Sequence, residues 1–233
     1  MRDALSLLTT LGRRGGRMQA GAFAWFPLVG AALGLLLGSW WWVVERAWPR
    51  PVAAALVVVA DLALTGMLHV DGLADSADGL LPHASPERRL DIMRTPDVGA
   101  FGIATVAIVL VLQVAALASR APSILLLVAL WGAARALVAS VPSTMHYARE
   151  RGIASPLLDG APRWPAATVL VAVALAGAGA GVAGIVAVAA GVLGGVAVLF
   201  LAQRRIGGFT GDVLGATIVV TETVGLVVAA ARW

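Results

Sequence analysis

Long apolar runs dominate this sequence and restrict its fold more than any other feature. Seven segments are apolar enough, at roughly 20 residues each, for helices that cross a bilayer: 22–44, 51–68, 101–118, 123–141, 166–182, 183–201 and 213–231. Backbone N–H and C=O groups in hydrocarbon must bond to each other, and a helix achieves this within one segment. The pattern therefore predicts an all-α, polytopic integral membrane protein with a bundle of about seven transmembrane helices.

The fifth and sixth of these segments are separated only by glycines. Their junction lies in the run LAGAGAGVAGIVAVAAGVLGG, so one long broken helix is an open alternative. Small residues allow helices to approach closely in lipid, which also leaves a homo-oligomer open. The chain is 60% hydrophobic and only 13% charged over its 233 residues, and this leaves no room for a separate soluble domain. We therefore expect residues 1–233 to form a single membrane domain.

The arginines predict the orientation of the bundle. All 17 basic residues are Arg, against 13 acidic residues. If the N-terminus is cytoplasmic, 12 Arg fall in inner loops and four in outer loops, as the positive-inside rule requires. Residues 1–21 then form an interfacial segment, and the polar loops 70–100, 142–165 and 203–212 share the cytoplasmic face. Because the charge is explained by topology, no nucleic-acid partner is expected. The absence of Cys excludes disulfides and thiolate metal sites.

The stretch HVDGLADSADG, residues 69–79, places three carboxylates beside a predicted span. Asp71, Asp75 and Asp78 are spaced i, i+4 and i+7, so on an α-helix they fall within an arc of about 60°. Three like charges on one face indicate a bound cation, and oxygen ligands favour Mg²⁺. The alternative is a solvated acidic helix end. We predict that residues 69–100 form a cytoplasmic, Asp-rich catalytic loop.

Other polar residues extend this candidate site. Mg²⁺ held by carboxylates commonly shares its coordination with substrate phosphates, which Arg94 and Arg149 would bind. Asp212 begins the last span on the same membrane face, where it is either a helix cap or a further metal ligand. His69 is a candidate general base, with a structural role as the alternative.

Two ionisable residues lie inside predicted spans. Arg135 and Glu222 are costly to bury in a bilayer, so each is either functional or paired. Asp61, on a neighbouring span, is a candidate structural mate for Arg135.

The motifs taken together resemble a known family. The segments HVDGLADSADGL, ERRLDIMR, VGAFG, YARERG and GGFTGDVLGA, in this order and spacing, are similar to those of cobalamin synthases, the adenosylcobinamide-GDP ribazoletransferases. The resemblance implies a multi-span transferase of the bacterial inner membrane that acts late in cobalamin biosynthesis. Members of that family join adenosylcobinamide-GDP to α-ribazole or its 5′-phosphate, release GMP and require Mg²⁺.

The resemblance also implies roles for matching residues of this chain. It implies a catalytic group of His69, Asp78 and Arg94, and metal ligands Asp71, Asp75, Asp78 and Asp212. Substrate or phosphate would be bound by Arg94, Tyr147, Arg149 and Glu222. We add Arg135 to this set on the residue argument alone, as an ionisable group inside a span. The implied partners are a corrinoid nucleotide, α-ribazole and membrane lipid.

Three other functions remain as alternatives. A CDP-alcohol phosphotransferase also binds a diphosphate through Asp and Mg²⁺, but only part of its Asp-Gly-x-x-Ala-Arg pattern is present at 71–76. An aromatic prenyltransferase needs a second Asp-rich motif. A small transporter would place charges on both membrane faces, whereas the polar motifs here collect on one.

Overall fold

A computed structural model describes residues 1–10, 20–149 and 164–232 of the chain. Within these ranges the backbone forms nine α-helices, and its β-structure is a single isolated bridge between Tyr147 and Phe209. The helices are α1 (Arg2–Leu8), α2 (Phe26–Val44), α3 (Arg50–Thr65), α4 (Leu68–Leu80), α5 (Pro86–Ile92), α6 (Ala100–Ala118), α7 (Ile124–Ser140), α8 (Thr168–Ile206) and α9 (Gly211–Ala229). The predicted all-α fold is confirmed.

Five helical segments are long and apolar enough to cross a membrane: Gly21–Val44, Ala100–Ala118, Ile124–Ser143, Trp164–Ile206 and Gly211–Ala229. The chain is therefore a multi-pass membrane protein. Helices α3 and α4 pass the same test only as a pair, which would make six segments, and they are bent by 90°. The predicted span 51–68 ends at this bend because Gly66 and Met67 both adopt a left-handed φ of 61°, a conformation that terminates an α-helix.

Helix α8 contains both the fifth and the sixth predicted spans. Its backbone leaves the helical conformation at Ala180 and Gly181, the second with a φ of 60°. A Cβ on Gly184 would overlap the carbonyl group of Ala176, and one on Gly177 would lie 3.2 Å from Ile185, so the two legs fold back on each other. A straight helix over Trp164–Ile206 would measure about 65 Å, roughly twice the hydrocarbon thickness. The glycine run therefore lies within one helix, α8, and forms a turn between the two legs of that helix.

Helices α7 and α9 form the interior of the bundle. In each, 72% of the most apolar stretch is buried, against 22% in α6, whose exposed side is left for lipid. Helix α7 packs against α2, α8 and α9. Glycines allow this close approach: a Cβ on Gly34 would overlap the backbone of Leu127, and one on Gly191 would lie 2.5 Å from the carbonyl oxygen of Thr221.

An ion pair between Arg135 of α7 and Glu222 of α9 lies at the centre of this interior. Their side chains are 0% and 2% exposed, so neither charge reaches water. Asp61, the suggested mate, also interacts electrostatically with Arg135, and it accepts a hydrogen bond from Trp131 Nε1 at 3.0 Å. Both side chains are enclosed by helices and contact each other, which fits the paired alternative, and a role for them in binding substrate or phosphate stays a prediction.

One end of the bundle gathers the polar connections. Phe209 N donates to His146 O and Ala148 N donates to Phe209 O, each at 2.9 Å, which ties the segment after α7 to the turn between α8 and α9. A Cβ on Gly72 would meet the Asp212 backbone 2.8 Å away, so α4 and the start of α9 are in close contact. We refer to this end of the bundle as the site end.

We predict that breaking the central ion pair destabilises the protein more than removing both charges. Arg135→Met should lower the free energy of unfolding by ~3–5 kcal/mol, because it leaves Glu222 buried without a cation. The double variant Arg135→Met/Glu222→Leu should recover most of that loss. Thermal unfolding in detergent measures both effects, and a single variant as stable as the unmodified protein would contradict the pairing.

Candidate functional site

Arg149 and Asp212 form an ion pair at the site end. Arg149 Nη2 donates to Asp212 Oδ2 at 2.7 Å and to Met93 O at 3.2 Å. Asp212 lies in the first turn of α9, which Thr210 caps by accepting from Val213 N at 3.2 Å. Arg149 Nε is buried and has no hydrogen-bond partner among residues 1–10, 20–149 and 164–232, so the guanidinium keeps a donor for a further ligand.

Two carboxylates of α4, those of Asp71 and Asp75, interact electrostatically with the Arg149–Asp212 pair. Asp71 is exposed and Asp75 is half-buried. Burial raises the pKa of Asp75 to about 6, and the negative charges of Asp212 and Asp71 act in the same direction, while Arg149 opposes them. Asp71, Asp75 and Asp212 therefore repel one another, and a cation placed between them would relieve that repulsion.

The carboxylate of Asp78 contacts the start of α6. Its Oδ2 accepts from Gly99 N at 2.6 Å and its Oδ1 accepts from Gly102 N at 2.9 Å, so the carboxylate binds the N-terminus of α6. A negative charge is favourable there because the first N–H groups of a helix lack partners within the helix. The start of α6 thus binds the third carboxylate of α4, whose charge also contributes to raising the pKa of Asp75, and its role as a metal ligand stays a prediction.

The carboxylates of Asp71 and Asp75 are compatible with a Mg²⁺ ion whose other ligands are phosphate and water. Among the residues that the structure describes, no three His, Asp or Glu side chains form a ready metal-binding group. Mg²⁺ in such enzymes uses one or two carboxylates and completes its coordination with phosphate and water. Asp71 and Asp75, one helical turn apart on α4, satisfy that smaller requirement.

A cavity of about 180 Å³ adjoins three of the charged residues, Asp71, Arg149 and Asp212. Asp71, Tyr147, Arg149 and Asp212 line its polar side. The other walls are mainly apolar and come from α1, the start of α2, α4, α7 and α9, with Leu7, Phe23, Phe26, Val138, Leu214 and Ile218 among them. His69 also lines the cavity. It is buried, and none of the residues that the structure describes forms a hydrogen bond with its Nε2.

Tyr147 and Arg94 complete the polar side. The ring of Tyr147 packs edge-on against Phe209, with 5.3 Å between the ring centroids. Burial raises the pKa of the Tyr147 phenol. The positive charge of Arg149, and to a smaller extent that of Arg94, lowers it. The phenol is therefore protonated at neutral pH and can donate a hydrogen bond. Arg94 itself is exposed, which leaves its guanidinium accessible to a ligand.

Sequence reasoning missed the role of Arg89. This buried arginine donates to Gly79 O at 2.8 Å, Leu80 O at 2.7 Å and Ala84 O at 3.1 Å, and so satisfies carbonyl groups at the end of α4. In the sequence, its position beside Arg88 suggests only that both are charged residues of a polar loop. The apolar cavity walls were also missed, because Leu7 and Phe23 meet α9 only in the folded chain. Arg151 and the N-terminal Arg13, Arg14 and Arg17 lie outside the described residues.

The fold and the site together define a multi-pass membrane protein with a rim of opposite charges beside an apolar cavity. The family model for cobalamin-5-phosphate synthase matches residues 1–230. The chain belongs to this family.

Curated relatives carry the same family relationship. The chain is 40% identical over 225 residues to the adenosylcobinamide-GDP ribazoletransferase of Deinococcus radiodurans, covering 94% of this chain and 81% of the relative. It is 40% identical to that of Alkalilimnicola ehrlichii, covering 86% of this chain and 81% of the relative. The identity to the enzyme of Ralstonia nicotianae is 38%, covering 83% of this chain and 78% of the relative. No solved structure matches the chain.

We predict that Asp78 and Asp71 differ in their effect on stability. Asp78→Ala should lower the free energy of unfolding by about 1–2 kcal/mol, because two N–H groups of α6 lose their acceptor. Asp71→Ala, at an exposed position on the same helix, should change it by less than about 0.5 kcal/mol. Thermal unfolding of the two variants in one detergent measures the difference, and equal effects would refute the capping role.

Proposed function

We propose that the protein is an adenosylcobinamide-GDP ribazoletransferase. In the proposed reaction it joins adenosylcobinamide-GDP to α-ribazole or its 5′-phosphate and releases GMP, a late step of cobalamin biosynthesis. The observation that carries the proposal is the Arg149–Asp212 pair, which lines a cavity together with Asp71 and lies in the electrostatic environment of Asp75. Membership of the family and the names of the relatives support the same activity.

The diphosphate of the corrinoid nucleotide is proposed to bind at the charged rim. Arg149 is the main phosphate ligand, since its Nε has no partner in the described part of the chain and Asp212 holds its Nη2 in place. Arg94 is exposed nearby and adds a second guanidinium, and the Tyr147 phenol supplies a neutral donor. Arginine suits this task because its planar donors match phosphate oxygens in pairs.

Mg²⁺ is proposed as the cofactor, held by Asp71 and Asp75 with Asp212 beside them. When bound, it neutralises charge on the diphosphate and on the departing GMP. Asp71 and Asp75 thus position the cation, and Asp212 orients Arg149. Asp78 holds the start of α6, and its role as a metal ligand stays a prediction.

The proposed transfer exchanges one phosphorus–oxygen bond for another. A ribose hydroxyl oxygen of α-ribazole bonds to the phosphorus nearer cobinamide, while the bond from that phosphorus to the bridging oxygen breaks and GMP departs with it. The hydroxyl proton passes to water, and GMP keeps the former bridging oxygen on its phosphate. The residues of the chain contribute mainly by positioning the reactants and stabilising charge, which is how such transfers are generally accelerated.

The site end is proposed to face the cytoplasm of a bacterium, with the bundle in the inner membrane and the N-terminus inside. The uneven distribution of Arg supports this orientation. The opposite end holds few Arg, among them Arg120, whose Nη1 donates to Ala229 O at 2.9 Å.

We predict that the purified protein in detergent releases GMP from adenosylcobinamide-GDP when α-ribazole and Mg²⁺ are present. Asp75→Asn should reduce kcat/KM by on the order of 100-fold, as expected when one charge that stabilises the transferred group is lost. Asp91→Asn, an exposed acid on α5, is the matched control and should keep the unmodified rate. The absence of GMP from the unmodified protein would refute the proposed activity.

We also predict that a higher Mg²⁺ concentration is required for binding at acidic pH. A carboxylate must lose its proton to bind a metal, and the pKa of Asp75 in the metal-free protein is about 6. Asp75 is charged above that pH, so the Mg²⁺ concentration for half-maximal binding should rise as the pH falls from 7.5 to 5.5. Isothermal titration with Mg²⁺ measures this. A rise of the same size in Asp75→Asn would assign the effect to another group.

A further inference from the structure

The cavity is too small for most of the proposed substrates. Its volume is about 180 Å³. Ligand pockets that enclose a whole drug-sized molecule measure roughly 300–1,000 Å³, whereas an engineered apolar cavity of about 150 Å³ holds a single benzene. A corrin macrocycle therefore does not fit inside, and one small aromatic ring system does.

The lining of the cavity also restricts what enters it. Away from the charged rim the walls include Phe23, Phe26, Val138 and Ile218. Guanine would bury several donors and acceptors against these side chains without partners, which is unfavourable. An aromatic ring with a mainly apolar outline meets no such cost.

His69 supplies a single polar contact within this apolar lining. It is 5% exposed, and within the part of the chain that the structure describes its Nε2 has no hydrogen-bond partner. A buried polar atom without a partner is uncommon in a folded protein and indicates a missing ligand. A neutral imidazole protonated at Nε2 would donate one hydrogen bond to an acceptor in the cavity.

We infer that the cavity binds the base of the nucleoside acceptor, with His69 Nε2 donating to its unsubstituted ring nitrogen. This inference rests on the proposed function, in which the acceptor is α-ribazole, a nucleoside whose benzimidazole base has an apolar body and one free ring nitrogen. The base lies among the apolar walls, and the ribose extends to the rim where Asp71 and Arg149 line the opening. A ribose hydroxyl is thereby presented to the bound diphosphate.

The inference assigns His69 to recognition of the base and not to proton transfer. A residue that binds the base changes the KM for α-ribazole, whereas a general base changes kcat and the pH profile of the reaction. The two roles therefore have separate kinetic signatures.

The test measures binding of α-ribazole to the purified full-length protein by equilibrium dialysis, without the corrinoid substrate. His69→Ala should weaken binding at least about 10-fold, the effect of losing a buried hydrogen bond. It should raise the KM for α-ribazole by a similar factor and leave the KM for adenosylcobinamide-GDP unchanged. His83→Ala, an exposed histidine near the start of α5, is the matched control and should bind normally.

A change in the ligand provides a second test that leaves the protein intact. The riboside of dimethylindole has a carbon in place of the free ring nitrogen, so it should bind the unmodified protein at least about 10-fold more weakly than α-ribazole. The dimethylindole riboside should bind His69→Ala and the unmodified protein equally, because it forms no hydrogen bond with His69 that the substitution could remove.

The outcomes separate this inference from the proposed function. GMP release together with equal binding of the two ribosides to the unmodified protein would overturn the inference alone. So would a His69→Ala variant with lower kcat and unchanged KM for α-ribazole. Binding that follows the expected pattern without GMP release would uphold the base-binding cavity and refute the proposed reaction.

Discussion

The bilayer is the constraint on which this structure depends. Charged groups in hydrocarbon have no water to solvate them, so each must find a partner within the protein or lie at the end of the bundle. Arg135 and Glu222 illustrate the first solution, because they join α7 to α9 with both side chains enclosed. The other charged groups of the site occupy the site end, where they remain accessible to polar ligands.

The site end divides its charges between structure and binding. Asp78 holds the N-terminus of α6, and Arg89 holds carbonyl groups at the end of α4. These contacts position α4 so that Asp71 and Asp75 face Arg149 and Asp212. Burial first, and then the charges of Asp212 and Asp71, raise the pKa of Asp75, and a cation bound beside them would favour the charged carboxylate.

The apolar cavity beside the charged rim provides a physical reason for joining two unlike substrates at one place. Phosphates require cations and donors, which the rim supplies, while an aromatic base requires an apolar enclosure. Helices α4 and α9 contribute to both regions, so the base and the diphosphate would be held at a defined separation. Orientation of this kind is a large part of how a bimolecular transfer is accelerated.

The sequence by itself determined the membrane helices and the kinds of side chain at the site, since apolar runs and local carboxylate spacing depend only on near neighbours. It located the bend in the glycine run to within a few residues of Gly181. Only the tertiary structure decided that Asp78 caps α6, that Arg135 pairs with Glu222 and that His69 faces a cavity. Each of these depends on helices distant in the chain, and the partner of a buried polar group is set by packing that no local pattern encodes.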